Sequence, residues 1–228
     1  FDRAVASAPA FAQAHANRAN ALVELRRYGE AARAYERAIE LAPGTPYLAG
    51  GHAWACLNAA EWPAFDAQWA SLADGIARGD RVTIPFPSLG LPVTAGEQRA
   101  IARAWVAARH PPNDELGPLP DRVPGERIRL AYFSSDFHEH ATAYLLAEVI
   151  DEFTDVRART DREVAALARE RGIDVAIDLK GFARDERTGI FARRAAPVQV
   201  YYLAYPGTMG APYTNYVLAD AVVMPDAI

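Results

Sequence analysis

A nine-residue segment that occurs twice, 34 residues apart, constrains the first third of this chain. FDRAVASAP at residues 1–9 aligns with YERAIELAP at residues 35–43. A repeat of this length is a pair of helices, and one pair cannot bury its own apolar faces without neighbours. We therefore predict a stack of helical repeats, in which residues 10–43 form one whole repeat and residues 1–9 end an earlier one.

The apolar positions of the whole repeat follow the tetratricopeptide pattern. Small and large residues alternate where the two helices of such a repeat pack, at Ala19, Leu22, Ala31, Tyr35 and Ala38. A degenerate unit follows up to residue 77, with one helix predicted over residues 46–60 and another beginning near Pro63. Because residues 1–9 begin in mid-helix, we expect the N-terminus to be missing and further repeats to lie upstream.

Residues 78–126 are predicted to connect two domains. Thr94 and Glu97 have the spacing of a capping box, ahead of a helix that runs to about Arg109. Five prolines then fall between residues 111 and 124, which blocks both a helix and a central strand. This segment is either an ordered wrap or a linker.

Residues 127–228 alternate strands and helices. Strands are predicted over residues 128–133, 173–179, 198–203 and 216–219, with helices over 143–150, 161–171 and 187–194. The apolar run at 128–133 is typical of a strand buried on both faces of a parallel sheet. The loops at 134–142, 180–187 and 204–210 would then share the edge where open α/β sheets bind ligands. The predicted fold is multidomain, an all-α superhelix followed by an α/β Rossmann-like lobe.

Composition excludes several classes of partner. The net charge is −5, and basic and acidic residues are interleaved, so no lysine and arginine block favours nucleic acid or an anionic membrane. No apolar run is long enough to span a bilayer. The single cysteine, Cys56, excludes an internal disulfide framework and favours a reducing, cytoplasmic compartment. The histidines lack metal-ligand spacing, and no Walker or GxGxxG fingerprint is present.

The predicted loops contain the candidate binding groups. His140 could satisfy a backbone group at a helix start, but Glu139 and Thr142 beside it favour a role facing a ligand. Lys180 and Arg187 could be ordinary surface charges, or the fixed positive groups that an anionic substrate needs. The turn around Pro206 and Gly207 could bring backbone N–H groups close to a ligand.

Three motifs in this lobe resemble the O-linked N-acetylglucosamine (O-GlcNAc) transferase family, glycosyltransferase family 41, in its bacterial type. They are SSDFHEHAT at 134–142, FARRAAPVQ at 191–199 and LAYPGTMG at 203–210. The resemblance implies a two-lobed GT-B enzyme that transfers N-acetylglucosamine from UDP-GlcNAc to Ser or Thr of proteins. It also implies inversion at the anomeric carbon, no metal ion or other cofactor, and a protein or peptide acceptor that binds along the repeats.

The resemblance implies roles for individual residues. His140, the expected catalytic residue, and Thr142 would face the donor or the acceptor hydroxyl, with Glu139 beside them. Arg187 would lie near the donor as a basic group. The sugar pocket would be lined by residues of the second and third loops, namely Phe182, Leu203, Ala204, Pro206 and Gly207.

This sequence departs from the family pattern at three places. Phe86 stands where animal members have a histidine, and phenylalanine cannot take a proton. About one strand and one helix fewer than in the family follow Ile150. The chain also ends at Ile228, before the second lobe, so it is expected to be inactive alone. Two alternatives stay open: the same chemistry with another nucleotide sugar or an Asn acceptor, and a repeat scaffold that has lost catalysis and only binds proteins.

Overall fold

The computed structural model describes residues 1–121, 127–202 and 204–221. The chain forms two compact units, Phe1–Trp105 and Val106–Ile228, which we call the helical unit and the α/β unit. The division of the sequence into 1–77, 78–126 and 127–228 stays a prediction.

The helical unit consists of antiparallel helix pairs, as the repeat predicts. The five positions assigned to helix packing are all buried, with Ala19, Ala31 and Ala38 fully inaccessible. Alanines at these positions let the helix backbones approach closely, while the Tyr35 hydroxyl donates a 2.6 Å hydrogen bond to Asn20 Oδ1. Its helices are α1 (Asp2–Ser7), α2 (Ala12–Glu24), α3 (Tyr28–Leu41), α4 (Leu48–Ala59), α5 (Trp62–Ala77) and α6 (Pro85–Ser88), and α7 (Ala95–Arg109) begins in this unit and ends after its last residue.

The predicted capping box precedes α7. The backbone N–H of Thr94 donates to Glu97 Oε2 at 2.7 Å, and the N–H of Glu97 donates to Thr94 Oγ1 at 3.3 Å. Thr160 and Glu163 form the same reciprocal pair at the start of the longest helix of the α/β unit.

The α/β unit contains a four-stranded sheet in which every neighbouring pair is parallel. The strand order is the sequence order, which confirms the alternating strand and helix pattern and the predicted fold class. Its elements are β1 (Leu130–Phe133), α8 (Ala141–Leu146), α9 (Asp161–Glu170), β2 (Val175–Asp178), α10 (Thr188–Ala192), β3 (Val198–Tyr202) and β4 (Tyr216–Leu218).

The prediction that residues 128–133 are buried on both faces is wrong. Within the described sheet, β1 is an edge strand that pairs with β2 alone, and Leu130 is 52% exposed. The deep burial expected of β1 belongs instead to β2, where Ala176, Ile177 and Asp178 are buried. An apolar run predicts a strand, but burial depends on how many neighbours the strand has.

The described part of the proline-rich segment is an ordered wrap within the α/β unit, hydrogen-bonded to the rest of that unit at residues 113–118. The N–H of Asn113 donates to the carbonyl of Ala192 at 2.8 Å. Arg169 donates to the carbonyls of residues 116–118 and also to those of Arg193 and Arg194. One guanidinium therefore fixes a segment that has no secondary structure of its own.

Candidate active site

The three predicted loops leave the sheet at one edge. In the register of the parallel strands, Phe133 is beside Asp178 and Asp178 is beside Tyr201. The first loop (134–142), the second loop (180–187) and the third loop (204–210) therefore start at the same level, at the carboxyl ends of β1, β2 and β3. This is the edge at which α/β sheets bind ligands.

In the first loop, His140 is the N-cap residue of α8. Its Nδ1 accepts a 3.2 Å hydrogen bond from the backbone N–H of Thr142. Because an accepting nitrogen carries no proton, the neutral ring carries its proton on Nε2. The capping role considered for His140 is therefore observed, and its role facing a ligand stays a prediction. Thr142 is buried, whereas Glu139 and His138 are exposed.

The second loop begins with a turn formed by Asp178. Its Oδ1 accepts the backbone N–H groups of Lys180 at 2.8 Å and Gly181 at 3.0 Å. The side chain of Lys180 then reaches the first loop, where Nζ lies 2.7 and 2.8 Å from the two carboxylate oxygens of Asp136. An ion pair therefore links the exits of β1 and β2.

Phe182 and Arg187, two residues of the second loop, were predicted to contact the donor substrate. The contacts that the structure shows for them are to other parts of the chain. Phe182 is buried, and its ring centroid lies 5.5 Å from that of Tyr205 in an edge-to-face arrangement. Phe182 therefore packs against the third loop. Arg187 donates from Nε to Asp161 Oδ1 at 2.8 Å and from its two terminal nitrogens to the carbonyls of Val156 and Arg159. This guanidinium secures the segment before α9, and its role near a donor stays a prediction.

The third loop is anchored by Tyr201. The backbone N–H of Tyr205 donates to the Tyr201 hydroxyl at 2.6 Å, and that hydroxyl donates to the carbonyl of Tyr205. Ala204 and Pro206 are exposed, and Gly207 is partly exposed, as a ligand-facing turn requires. Leu203, also predicted to line the pocket, lies outside the described residues.

An open cleft of about 1900 Å³ borders β1 within the α/β unit. Its lining includes Ser134, His138, Asp178, Lys180 and Arg187. Among the described residues, His140, Thr142 and Phe182 are not part of that lining. The structure therefore brings Lys180 and Arg187 to the cleft, and it places His140 at the end of the loop that leads away from it.

Sequence reasoning missed the role of Asp136 and Asp178. Both are buried carboxylates at strand exits, and burial raises the pKa of Asp178 to about 6, although the N–H bonds from Lys180 and Gly181 oppose this shift. Two signals were available in the sequence: an aspartate directly ending an apolar run, and a lysine two residues after it.

Replacing Asp178 with asparagine should reduce the pH dependence of stability. A carboxyl whose folded pKa exceeds its unfolded value favours folding when protonated, so stability falls as pH rises through the folded value. Between pH 5 and 7.5, the wild type should lose about 1 kcal/mol more unfolding free energy than Asp178→Asn. Urea denaturation at both pH values measures this difference.

Asp155 provides the matched control for that experiment. It is exposed, and its hydrogen bonds from Arg157 lower its pKa to about 2. Its carboxylate is therefore ionised throughout pH 5 to 7.5, and Asp155→Asn should retain the pH dependence of the wild type. Equal pH dependence in wild type and Asp178→Asn would contradict the assignment.

Two parts of the chain match known protein families. Residues 147–228 match the family model described as glycosyl transferase family 41. This match lies wholly within the α/β unit. Residues 12–45 match the tetratricopeptide repeat model, so the segment that matches family 41 follows a repeat of the type predicted here. The resemblance drawn from the sequence motifs is thereby confirmed.

Several relatives of this chain carry the name peptide N-acetylglucosaminyltransferase. A probable UDP-N-acetylglucosamine–peptide N-acetylglucosaminyltransferase from Arabidopsis thaliana is 28% identical over 182 residues, 62% of this chain and 19% of the plant protein. The enzyme of that name from Caenorhabditis elegans is 29% identical over 133 residues, 44% of this chain and 12% of its own length. The chain therefore matches about a fifth or less of these relatives.

A solved structure supports the fold of this chain. The K341M mutant of the Thermobaculum terrenum O-GlcNAc transferase superposes with a TM-score of 0.64 at 24% identity. The match covers 96% of this chain and 48% of the bacterial one. At this identity the likeness shows the fold, helical repeats followed by a parallel α/β sheet.

The described residues contain neither a membrane-spanning helix nor a metal-binding group of side chains. Across residues 1–121, 127–202 and 204–221, every helix falls short of the length and apolar character of a membrane span. Within those same ranges, the His, Cys, Asp and Glu side chains form no group of three or more that could hold a metal ion.

Proposed function

We propose that the gene product carrying this chain is a protein O-glycosyltransferase that transfers N-acetylglucosamine from UDP-GlcNAc to Ser or Thr hydroxyls. The observation that carries this proposal is the meeting of three loops at one sheet edge, where the second and third loops belong to residues 147–228, the segment matched by glycosyl transferase family 41. The names of the relatives supply the donor and the peptide acceptor.

The proposed reaction is a direct displacement with inversion and without a metal ion. The acceptor hydroxyl oxygen forms a bond to the anomeric carbon, while the bond from that carbon to the diphosphate breaks. Fixed donors and cations must then stabilise the departing negative charge. The hydroxyl proton passes to an oxygen of the diphosphate, because Nε2 of His140 already carries a proton while Nδ1 caps α8.

His140 is proposed to donate a hydrogen bond from Nε2 to a substrate oxygen. Glu139, Thr142, Ala204, Pro206 and Gly207 would form the surroundings of the bound sugar. Lys180 lines the cleft with its charge paired to Asp136, while Arg187 acts mainly through the segment it secures. The helical repeats would guide an extended acceptor chain, since stacked helix pairs form a concave surface. The buried cysteine, Cys56, favours the cytoplasm as the site of this reaction.

Replacing His140 with alanine should reduce transfer by about a hundredfold or more, the usual loss when a donor to a developing charge is removed. The assay measures transfer from labelled UDP-GlcNAc to a library of Ser- and Thr-containing peptides. His140→Ser separates catalysis from folding, because serine caps a helix well but is too short to replace the imidazole. It should therefore be as inactive as His140→Ala, and Tyr144→Ala, which changes an exposed residue of α8 outside the cleft lining, should stay active. Full activity of His140→Ser would contradict the proposed role.

A second candidate function is a repeat scaffold without transferase activity. Two observations favour it: Phe86 cannot accept a proton, and the Arg187 guanidinium already has three protein partners. The same assay distinguishes the two functions if the donor panel includes other nucleotide sugars and the library includes Asn peptides. Peptide binding without transfer from any donor would support the scaffold.

A further inference from the structure

Lys180 is the only lysine among the 228 residues, which contain 23 arginines. This chain therefore uses arginine for its surface cations and places its one ε-ammonium group in a largely buried ion pair. The side chains of Lys180 and Asp136 are 13% and 12% exposed. An ammonium group is compact and has three donors, so a single nitrogen can contact both carboxylate oxygens of Asp136 at once.

The backbone N–H of each residue in the pair is hydrogen-bonded to a side chain two positions earlier in the chain. The turn at Asp178 binds the N–H of Lys180 and directs the lysine toward the first loop. On the other side, the N–H of Asp136 donates to Ser134 Oγ at 3.0 Å. Both groups are thus oriented before they meet, which reduces the entropy lost when the pair forms.

A short series of hydrogen bonds connects Asp136 to His140. The carbonyl of Asp136 accepts the N–H of His138 at 2.9 Å, and the carbonyl of His138 accepts the N–H of His140 at 2.7 Å. His140 then caps α8 through Thr142. Any change in the position of Asp136 is therefore transmitted along the loop to the imidazole.

From this arrangement we infer that Lys180 is a positioning residue for His140, acting through Asp136. The inference rests on the proposed function, because His140 is taken as the residue that contacts substrate. Removing the ammonium would leave the Asp136 carboxylate buried without its cation, a state that proteins relieve by local rearrangement. The first loop would move, and His140 would lose its place at the sheet edge.

The first test is independent of catalysis and uses the 228-residue chain. In Lys180→Met, backbone amides of residues 134–142 should exchange with deuterium at least tenfold faster, while those of β2 and β3 keep their wild-type rates. Lys180→Arg should restore most of the protection, because a guanidinium can still pair with Asp136. Arg162→Met, which removes an exposed cation of α9, should match the wild type.

The second test measures transfer by the intact gene product. Lys180→Met should lower kcat about tenfold and leave KM for the peptide nearly unchanged, and Lys180→Arg should recover most of that loss. Unchanged exchange of the first loop would overturn the inference, and so would a uniform rise across the whole α/β unit, which indicates a purely structural role. A wild type without transfer activity would count against the proposed function alone, since the exchange result stands by itself.

Discussion

Gln199→Leu is expected to lower the free energy of unfolding of the α/β unit by about 3 to 5 kcal/mol. Gln199 is 1% exposed on β3, a central strand. Its Nε2 donates to the carbonyls of Phe191 and Tyr213 at 2.9 and 2.8 Å, and its Oε1 accepts the N–H of Ala195 at 2.9 Å. Leucine fills a similar volume but leaves three buried backbone groups without these partners.

Chemical denaturation of the two proteins, followed by circular dichroism, measures this loss. Gln13→Leu provides the control, because Gln13 is exposed on α2 and bonds only to Asn17 among the described side chains. Its unfolding free energy should change by less than about 0.5 kcal/mol. A loss below about 1 kcal/mol for Gln199→Leu would mean that the backbone groups find other partners.

Gly181→Ala is the second substitution with a large expected effect, a loss of about 2 to 4 kcal/mol. Gly181 has a φ of +53°, and a Cβ there would lie 2.8 Å from Tyr205 Cβ and 2.9 Å from the Tyr201 ring. The second and third loops touch at this glycine. Alanine would push them apart and disturb the anchor that Tyr201 provides for the third loop.

Gly117→Ala separates the backbone strain from the steric contact. Gly117 has a φ of +68°, but a Cβ there would meet nothing within 4 Å. Its replacement should cost about 1 kcal/mol, the usual cost of a left-handed alanine. Thermal unfolding of both variants in the same buffer gives the comparison, and equal losses would show that the close approach at Gly181 costs nothing.

Local patterns predicted most of this fold. The 34-residue period located the buried alanines of α2 and α3, because helix packing repeats with the sequence. Alternating strands and helices predicted parallel pairing, since a strand followed by a crossover helix returns in the same direction. The two Thr and Glu pairs predicted helix starts because a capping box involves only residues close in the chain.

The misses depended on contacts between distant residues. Nothing in the apolar run before Phe133 reveals how many strands lie beside it, so the exposure of Leu130 could not be predicted. Arg187 carries the charge that an anionic ligand needs, yet Asp161 and two carbonyls take up its donors. Lys180 and Asp136 are 44 residues apart, and only the register of β1 and β2 brings them together.

The carbonyls gathered by Arg169 have a practical consequence for anyone subcloning the α/β unit. Sequence composition would place the start of such a fragment after the prolines, near residue 126. That cut would remove the acceptors of the Arg169 guanidinium at residues 116–118 and the hydrogen bond from Asn113 to Ala192. A fragment that starts before residue 110 keeps these hydrogen bonds.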